Sequence, residues 1–488
     1  MNDLYFSDYF KLKPSKLESY GALNVSLVSD LPLFIDPFLL FNSKKRVYKK
    51  LHDDIIRYLE FLRDKATDGV KLDEGHIKAW YKFSEVKQNC LGFAQVGSAG
   101  LGLGSDFAHA LYVNLGKLFG DFGAEKITHG SHLEKLCLIS EGVGRDKISD
   151  FTTNLIKEYL LEYTEAFAKK YIDRKYKKRL RVTRVKFNYK TESWMERTYT
   201  LPVYRGDYIL LTPKALLTMD ETWINKTDLV ESFSDVPMAI ENTTLRAQVD
   251  NYFRSRLPKK NVKKRDEKNA AIATILEFPE LIDYYIRLKE MRGDKAVGIS
   301  SNKVKYCEEV FIQNVHGFLE AISKIVPAIS EKDAFNQAVE RLNFLKHVIE
   351  NNDGYRLFYR NGKNIAQEKY LHILFKLLWF GTSFSVDSEV NNGRGPVDFK
   401  ISKGELSKAL VEFKLASNSH LKMNLAKQVE VYKKANRTEW GIKVIVYFSK
   451  DQQRDVEKIL ADLRLTDRKE VILIDARKDN KESASTVV

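Results

Sequence analysis

Three residues near the C-terminus have the types and spacing for chemistry. They lie in the stretch GRGPVDFKISKGELSKALVEFKLA, residues 393–416. Asp398 sits in one strand-like run, VDFKIS, and Glu412 and Lys414 sit in the next, ALVEFKLA. In the second run Val411, Phe413 and Leu415 alternate with Glu412 and Lys414, so the charges share one face. A hairpin centred on Glu405 places Asp398 directly opposite Glu412, with Cβ atoms ~4.5–5.5 Å apart. Two carboxylates and an ammonium would then converge. Carboxylates facing each other are destabilising unless a cation lies between them, and oxygen ligands of this kind suit Mg²⁺ or Mn²⁺. On this reading Asp398→Asn leaves the metal-free fold as stable as before, or more so.

The elements around these residues are regular. AQEKYLHILFKLLWF has helical spacing, FSVDSEV reads as a strand, LKMNLAKQVEVYKKA as an amphipathic helix and GIKVIVYF as a buried strand. A helix, DVEKILADL, and a strand, EVILID, follow. The order is αβββαβαβ, an α/β sandwich.

Pro396-Val397-Asp398 followed by Glu412-Phe413-Lys414, in this helix and strand order, resembles the PD-(D/E)XK pattern of restriction-endonuclease-like nucleases. Gln428 and Tyr432, four apart on one helical face, resemble the QxxxY element of one subgroup. The proline stands two residues before the aspartate rather than next to it. The resemblance covers roughly residues 350–475. It implies a Mg²⁺- or Mn²⁺-dependent phosphodiesterase, a DNA endonuclease. Asp398, Glu412 and the Phe413 carbonyl would hold the metal, with Glu368 a further candidate ligand. Lys414 would orient water, and Gln428 and Tyr432 would brace the site or touch a phosphate. The cysteine set of iron–sulfur members is absent.

The remainder of the 488 residues is less legible. The length implies several domains. The expected divisions are a mixed α/β region over 1–165, a basic region with strands over 166–265, helices over 266–345, the sandwich over 346–477 and a disordered tail over 478–488. The fold class is thus α/β and α+β, multidomain, with a largely helical N-terminal part. Ser149 or Asp150 is the expected N-cap of a long helix ending near Tyr171.

The net charge is +14, which fits a polyanionic partner, nucleic acid and in particular DNA. Basic residues cluster twice. Lys169, Lys170, Arg174, Lys175, Lys177, Lys178 and Arg179 form one candidate nucleic-acid surface, and Lys259, Lys260, Lys263 and Lys264 form another. Each cluster is equally readable as a solvated face or linker. No apolar run is long enough for a membrane span, no signal peptide is evident, and Cys90, Cys137 and Cys307 are too scattered for a disulfide framework. The expected compartment is the cytoplasm, and a homo-oligomer is compatible with the pattern. The glycine-rich GSAGLGLGSD lacks the GK[ST] ending of a P-loop. His129 and His132 with Cys137 would make a zinc site only with a fourth ligand.

A trigger-sensing N-terminal part and a role in defence against foreign DNA are consistent with a nuclease at the C-terminus. The alternatives are a catalytically inactive nucleic-acid-binding protein on the same scaffold, and an effector whose N-terminal domain senses a ligand and gates the nuclease. Metal-dependent cleavage separates the first from the leading reading. A ligand-induced thermal shift of residues 1–165 tests the second.

Overall fold

The computed structural model describes residues 4–27, 30–67, 73–92, 107–108, 111–112, 115, 122, 125–139, 144–219, 221–258, 260–313, 333–351, 354–360, 363–364, 368–379, 382–391, 396–404, 407–426, 438 and 440–481. The chain is mixed α/β, with a largely helical N-terminal part and a five-stranded mixed sheet near the C-terminus.

In the N-terminal part β1 (Leu33–Ile35) precedes the 22-residue helix α1 (Arg46–Thr67). Two helices, α2 (Arg145–Leu155) and α3 (Lys157–Tyr171), then lead into the hairpin β2 (Lys177–Asn188) and β3 (Ser193–Tyr204), edged by β4 (Asp207–Tyr208). β5 (Leu217–Met219) returns to pair antiparallel with β1. Helices α4 (Thr243–Ser255), α5 (Lys264–Glu277), α6 (Leu281–Met291) and α7 (Gly293–Glu308) follow.

The expected N-cap at Ser149 or Asp150 is corrected. The helix begins at Arg145, with Gly144 as its N-cap, and stops at Leu155 before restarting at Lys157. Ser149 is an interior residue whose Oγ accepts the Ile35 N–H at 3.0 Å, so it ties the helix to β1 instead of capping it. Nearby, burial first and then the charges of Glu85, Asp146 and Asp30 push Asp150 from 3.8 up to about 7. The protonated carboxyl therefore favours the fold at low pH, and that contribution is lost as pH rises from the ordinary aspartate range to about 7. Asp150→Asn should raise the melting temperature at pH 8 and leave it nearly unchanged at pH 4. Equal shifts at both pH values would refute the buried-charge account.

The C-terminal part begins with α8 (Ala334–Asn351), a small ribbon of β6 (Tyr359–Arg360) and β7 (Lys363–Asn364), and α9 (Glu368–Leu377). The sheet strands are β8 (Ser385–Asn391), β9 (Pro396–Lys403), β10 (Ser407–Leu415), β11 (Gly441–Tyr447) and β12 (Val471–Asp475), with α10 (Lys450–Asp462) between the last two. Their spatial order is β12-β11-β10-β9-β8. β8, β9 and β10 form an antiparallel meander, whereas β10, β11 and β12 run parallel. Residues 421–426, in the expected helix after β10, are helical.

β11 is buried along its whole length, as its unbroken apolar sequence requires. On one face of the sheet Phe375 of α9 packs against Phe399 and Phe413, with ring centroids 5.0 and 5.3 Å away. On the other, Ile445 packs with Leu421, Leu425 and the α10 residues Val456 and Leu460. Helices thus cover both faces. Asn480, within the segment expected as tail, donates to Asp475 at 2.8 Å.

Candidate functional site

Pairing between β9 and β10 sets Ser407 opposite Lys403, Leu410 opposite Lys400 and Val411 opposite Phe399. One further step in this register puts Asp398 opposite Glu412. Gly404 supplies the left-handed turn residue at φ 71°, while Glu405 lies outside the described residues. Side chains take over from the ladder at that step. The Phe413 N–H donates to Asp398 Oδ2 at 2.6 Å, and the Asp398 N–H points at Glu412 Oε2 at 3.3 Å. The carboxylates occupy the gap where the strands part.

Lys414 lies between them. Its Nζ is 3.0 Å from Glu412 Oε1, 3.9 Å from Asp398 Oδ2 and 3.6 Å from Glu368 Oε2, and donates to the Phe413 carbonyl at 2.7 Å. The ammonium thus bridges the two carboxylates, so their like charges do not face each other bare in the metal-free protein. Glu368 stands at the start of α9, and its Oε1 accepts the Leu415 N–H at 3.3 Å. One turn along, His372 brings Nε2 to 3.5 Å from Asp398 Oδ2. His372 also packs against Phe399 and Phe413. The sequence reading missed this histidine. Its signal was the four-residue step from Glu368, which sets both on one helical face.

The electrostatics separate the two carboxylates. Burial works to raise Asp398, but the bond and charge of His372, the Lys414 charge and the Phe413 N–H together hold it below the usual range. Burial and then the Asp398 charge push Glu412 up to about 7, against the pull of Lys414. Burial works to lower Lys414, yet Asp398, Glu412 and Glu368 hold it above the ordinary lysine value.

Among the described residues, no three His, Cys, Asp or Glu side chains form a ready-made metal cage. The donor set nevertheless fits a divalent ion. The Lys414 ammonium stands among three carboxylates and a backbone carbonyl, hard oxygen donors of the kind Mg²⁺ takes. An ion would have to displace this ammonium.

Gln428 and Tyr432 lie outside the described residues. His420 is exposed. The first basic cluster lies on α3 and β2, outside the five-stranded sheet, and its contacts are local. Lys169 pairs with Glu165 at 3.0 Å, and Lys177 donates to the Ala168 carbonyl at 2.8 Å. Lys170, Arg174, Lys175, Lys178 and Arg179 are exposed. In the second cluster Lys260, Lys263 and Lys264 are exposed around the start of α5, and Lys259 lies outside the described residues. The glycine-rich stretch GSAGLGLGSD also lies outside them.

The three residues of the zinc alternative are taken up by other contacts. His132 Nε2 pairs with Glu290 at 2.8 Å, the His129 N–H donates to the same carboxylate, and Cys137 donates to the Glu134 carbonyl. These contacts are internal and do not converge on a metal position.

Residues 11–225 match a family described as a domain of unknown function, DUF8370, and residues 334–450 match a second, DUF8371. The second span contains Glu368, His372, Asp398, Glu412 and Lys414. No curated protein and no solved structure matches the chain. No helix among the described residues is long and apolar enough to cross a membrane.

Proposed function

We propose that the C-terminal part is a metal-dependent nuclease on a restriction-endonuclease-like sandwich, acting on DNA as an endonuclease. The observation that carries this reading is the convergence of Asp398, Glu412, Lys414 and Glu368 at the parting of β9 and β10. A buried lysine bridging carboxylates also occurs as a structural ion pair. Here it is joined to the strand order and the sequence resemblance, which the ion pair alone does not account for.

Asp398, Glu412 and the Phe413 carbonyl would hold Mg²⁺ or Mn²⁺, with Glu368 as a further ligand. The bound metal would polarise the phosphodiester and lower the pKa of a coordinated water. Lys414, freed from Phe413, would orient that water and stabilise charge gathering on the phosphate. His372 positions Asp398 through its 3.5 Å contact. The exposed lysines and arginines on α3 and β2 would hold the phosphate backbone away from the site. Gln428 and Tyr432 remain assigned as bracing residues by resemblance, and defence against foreign DNA is the proposed context.

The test is incubation of the full chain with supercoiled plasmid, linear DNA and RNA, each with Mg²⁺, Mn²⁺ or EDTA. Metal-dependent nicking of the plasmid is the expected result. No cleavage of any substrate with either metal, by protein that still binds DNA, would favour the inactive-scaffold alternative.

A further inference from the structure

A hollow lies at the opposite end of the sheet from the carboxylates, with a volume of about 700 Å³. That is within the ~300–1,000 Å³ range of ligand pockets. Trp440, immediately before β11, contributes its indole to the wall and remains 49% exposed. Phe335 of α8 backs the indole, with ring centroids 4.6 Å apart. The backbone beneath is fixed. The Leu410 N–H donates to the Trp440 carbonyl at 3.0 Å, and Thr438 Oγ1 donates to the Lys408 carbonyl at 2.8 Å. The ring is therefore a half-exposed aromatic whose backbone is hydrogen-bonded to β10, a form that recurs where bases stack.

Three cations line the same hollow: Lys408, Arg468 and Lys469. Acidic residues are present too. Asp333 is committed to the start of α8, accepting from the Asn336 N–H at 2.7 Å and from its side-chain amide at 2.6 Å. Asp467 and Glu470 bring the acids to three, equal in number to the cations, so the hollow carries no net formal charge. The side-chain oxygen of Asn336, whose amide nitrogen is taken by Asp333, adds an acceptor suited to the polar edge of a base. An aromatic support, an amide and several cations together match a nucleobase carrying phosphate better than they match an apolar ligand.

We propose that this hollow is a nucleotide-binding subsite in which a base stacks on Trp440 and its phosphate lies against Arg468 and Lys469. Lys408 and Glu412 stand four residues apart on β10, so the subsite is roughly 13 Å from the carboxylates at ~3.3 Å per residue. It is a separate contact from the proposed cleavage site. The ligand chemistry has two sources, a single-stranded nucleic acid or a free nucleotide.

The experiment uses the full chain in EDTA, so binding is read without cleavage. Probes are fluorescently labelled oligothymidylate, followed by anisotropy, and unlabelled thymidine monophosphate, followed by tryptophan fluorescence. The chain has five tryptophans, so the wild-type signal minus that of Trp440→Phe isolates the one of interest. Trp440→Ala should weaken oligonucleotide binding about tenfold, in the range for one lost base stack, while Trp440→Phe stays within about threefold of wild type. Lys469→Glu should weaken binding and reduce its salt dependence. Stronger binding by the oligonucleotide than by the monophosphate identifies a strand as the ligand, and equal saturation identifies a free nucleotide. If neither probe quenches Trp440 and Trp440→Ala binds as wild type does, the subsite is refuted, whatever the cleavage assay gives. Loss of cleavage with an intact Trp440 effect would instead sink only the nuclease reading.

Discussion

Lys414→Ala should abolish cleavage, by at least about 10²-fold, while nucleic-acid binding persists. The basis is the position of Nζ, within 4 Å of three carboxylates and bonded to the Phe413 carbonyl. The same position predicts two opposite effects on stability. Without metal, the variant leaves Asp398 and Glu412 facing each other with no ammonium between them, and breaking a buried pair of this kind costs about 3–5 kcal/mol. With metal, the ion no longer competes with the ammonium. The variant should therefore melt below wild type in EDTA but gain more from Mn²⁺. Lys414→Met, which keeps the apolar stem, should behave likewise and controls for lost packing. Wild-type cleavage by either variant would remove Lys414 from the mechanism. A smaller Mn²⁺ response than wild type would mean that the ammonium does not occupy the cation position.

What the sequence revealed about this site follows from the range of its signals. The alternation in β10 assigned the faces, because a one-residue slip would carry Val411 and Phe413 out of the core, and the pairing of Val411 with Phe399 agrees with the register assumed from a hairpin centred on Glu405. The burial of β11 was similarly legible, since its unbroken apolar run belongs inside a sheet. The approach of α9 had no such local signal. Glu368 reaches the Leu415 N–H and His372 reaches Asp398 only because Phe375 packs on Phe399 and Phe413. Those contacts join residues far apart in the chain. In the N-terminal part the helix start at Arg145 was missed for a related reason. Ser149 has the right type for a cap, but a distant partner, Ile35 of β1, claims its hydroxyl. Periodicity placed Lys414 on the face of the carboxylates but not its tip between them, because it gives the face of a side chain and not its reach.

That lysine also changes what Asp398→Asn should do. Asp398 is held below the usual carboxylate range, so its charge supports the fold; that support is present above the ordinary aspartate pKa and is lost as pH falls through the lowered value. Asp398→Asn should therefore destabilise the metal-free protein at neutral pH, on the order of 1 kcal/mol for a weakened charged hydrogen bond. Glu412 behaves in the opposite way. Its carboxyl is raised to about 7, so the protonated form favours the fold at low pH and that contribution disappears as pH rises through about 7. Glu412→Gln keeps the shape and removes the charge that burial and Asp398 penalise. In EDTA at pH 8 it should melt at or above wild type, whereas Asp398→Asn should melt below it. With saturating Mn²⁺ only the wild type should gain substantially, since an ion that binds the folded state alone stabilises it by mass action. Equal Mn²⁺ gains in Asp398→Asn and wild type would show that Asp398 is no ligand. Glu412→Gln melting as far below wild type as Asp398→Asn at pH 8 would overturn the division of the two carboxylates into one that prefers its charge and one that resists it.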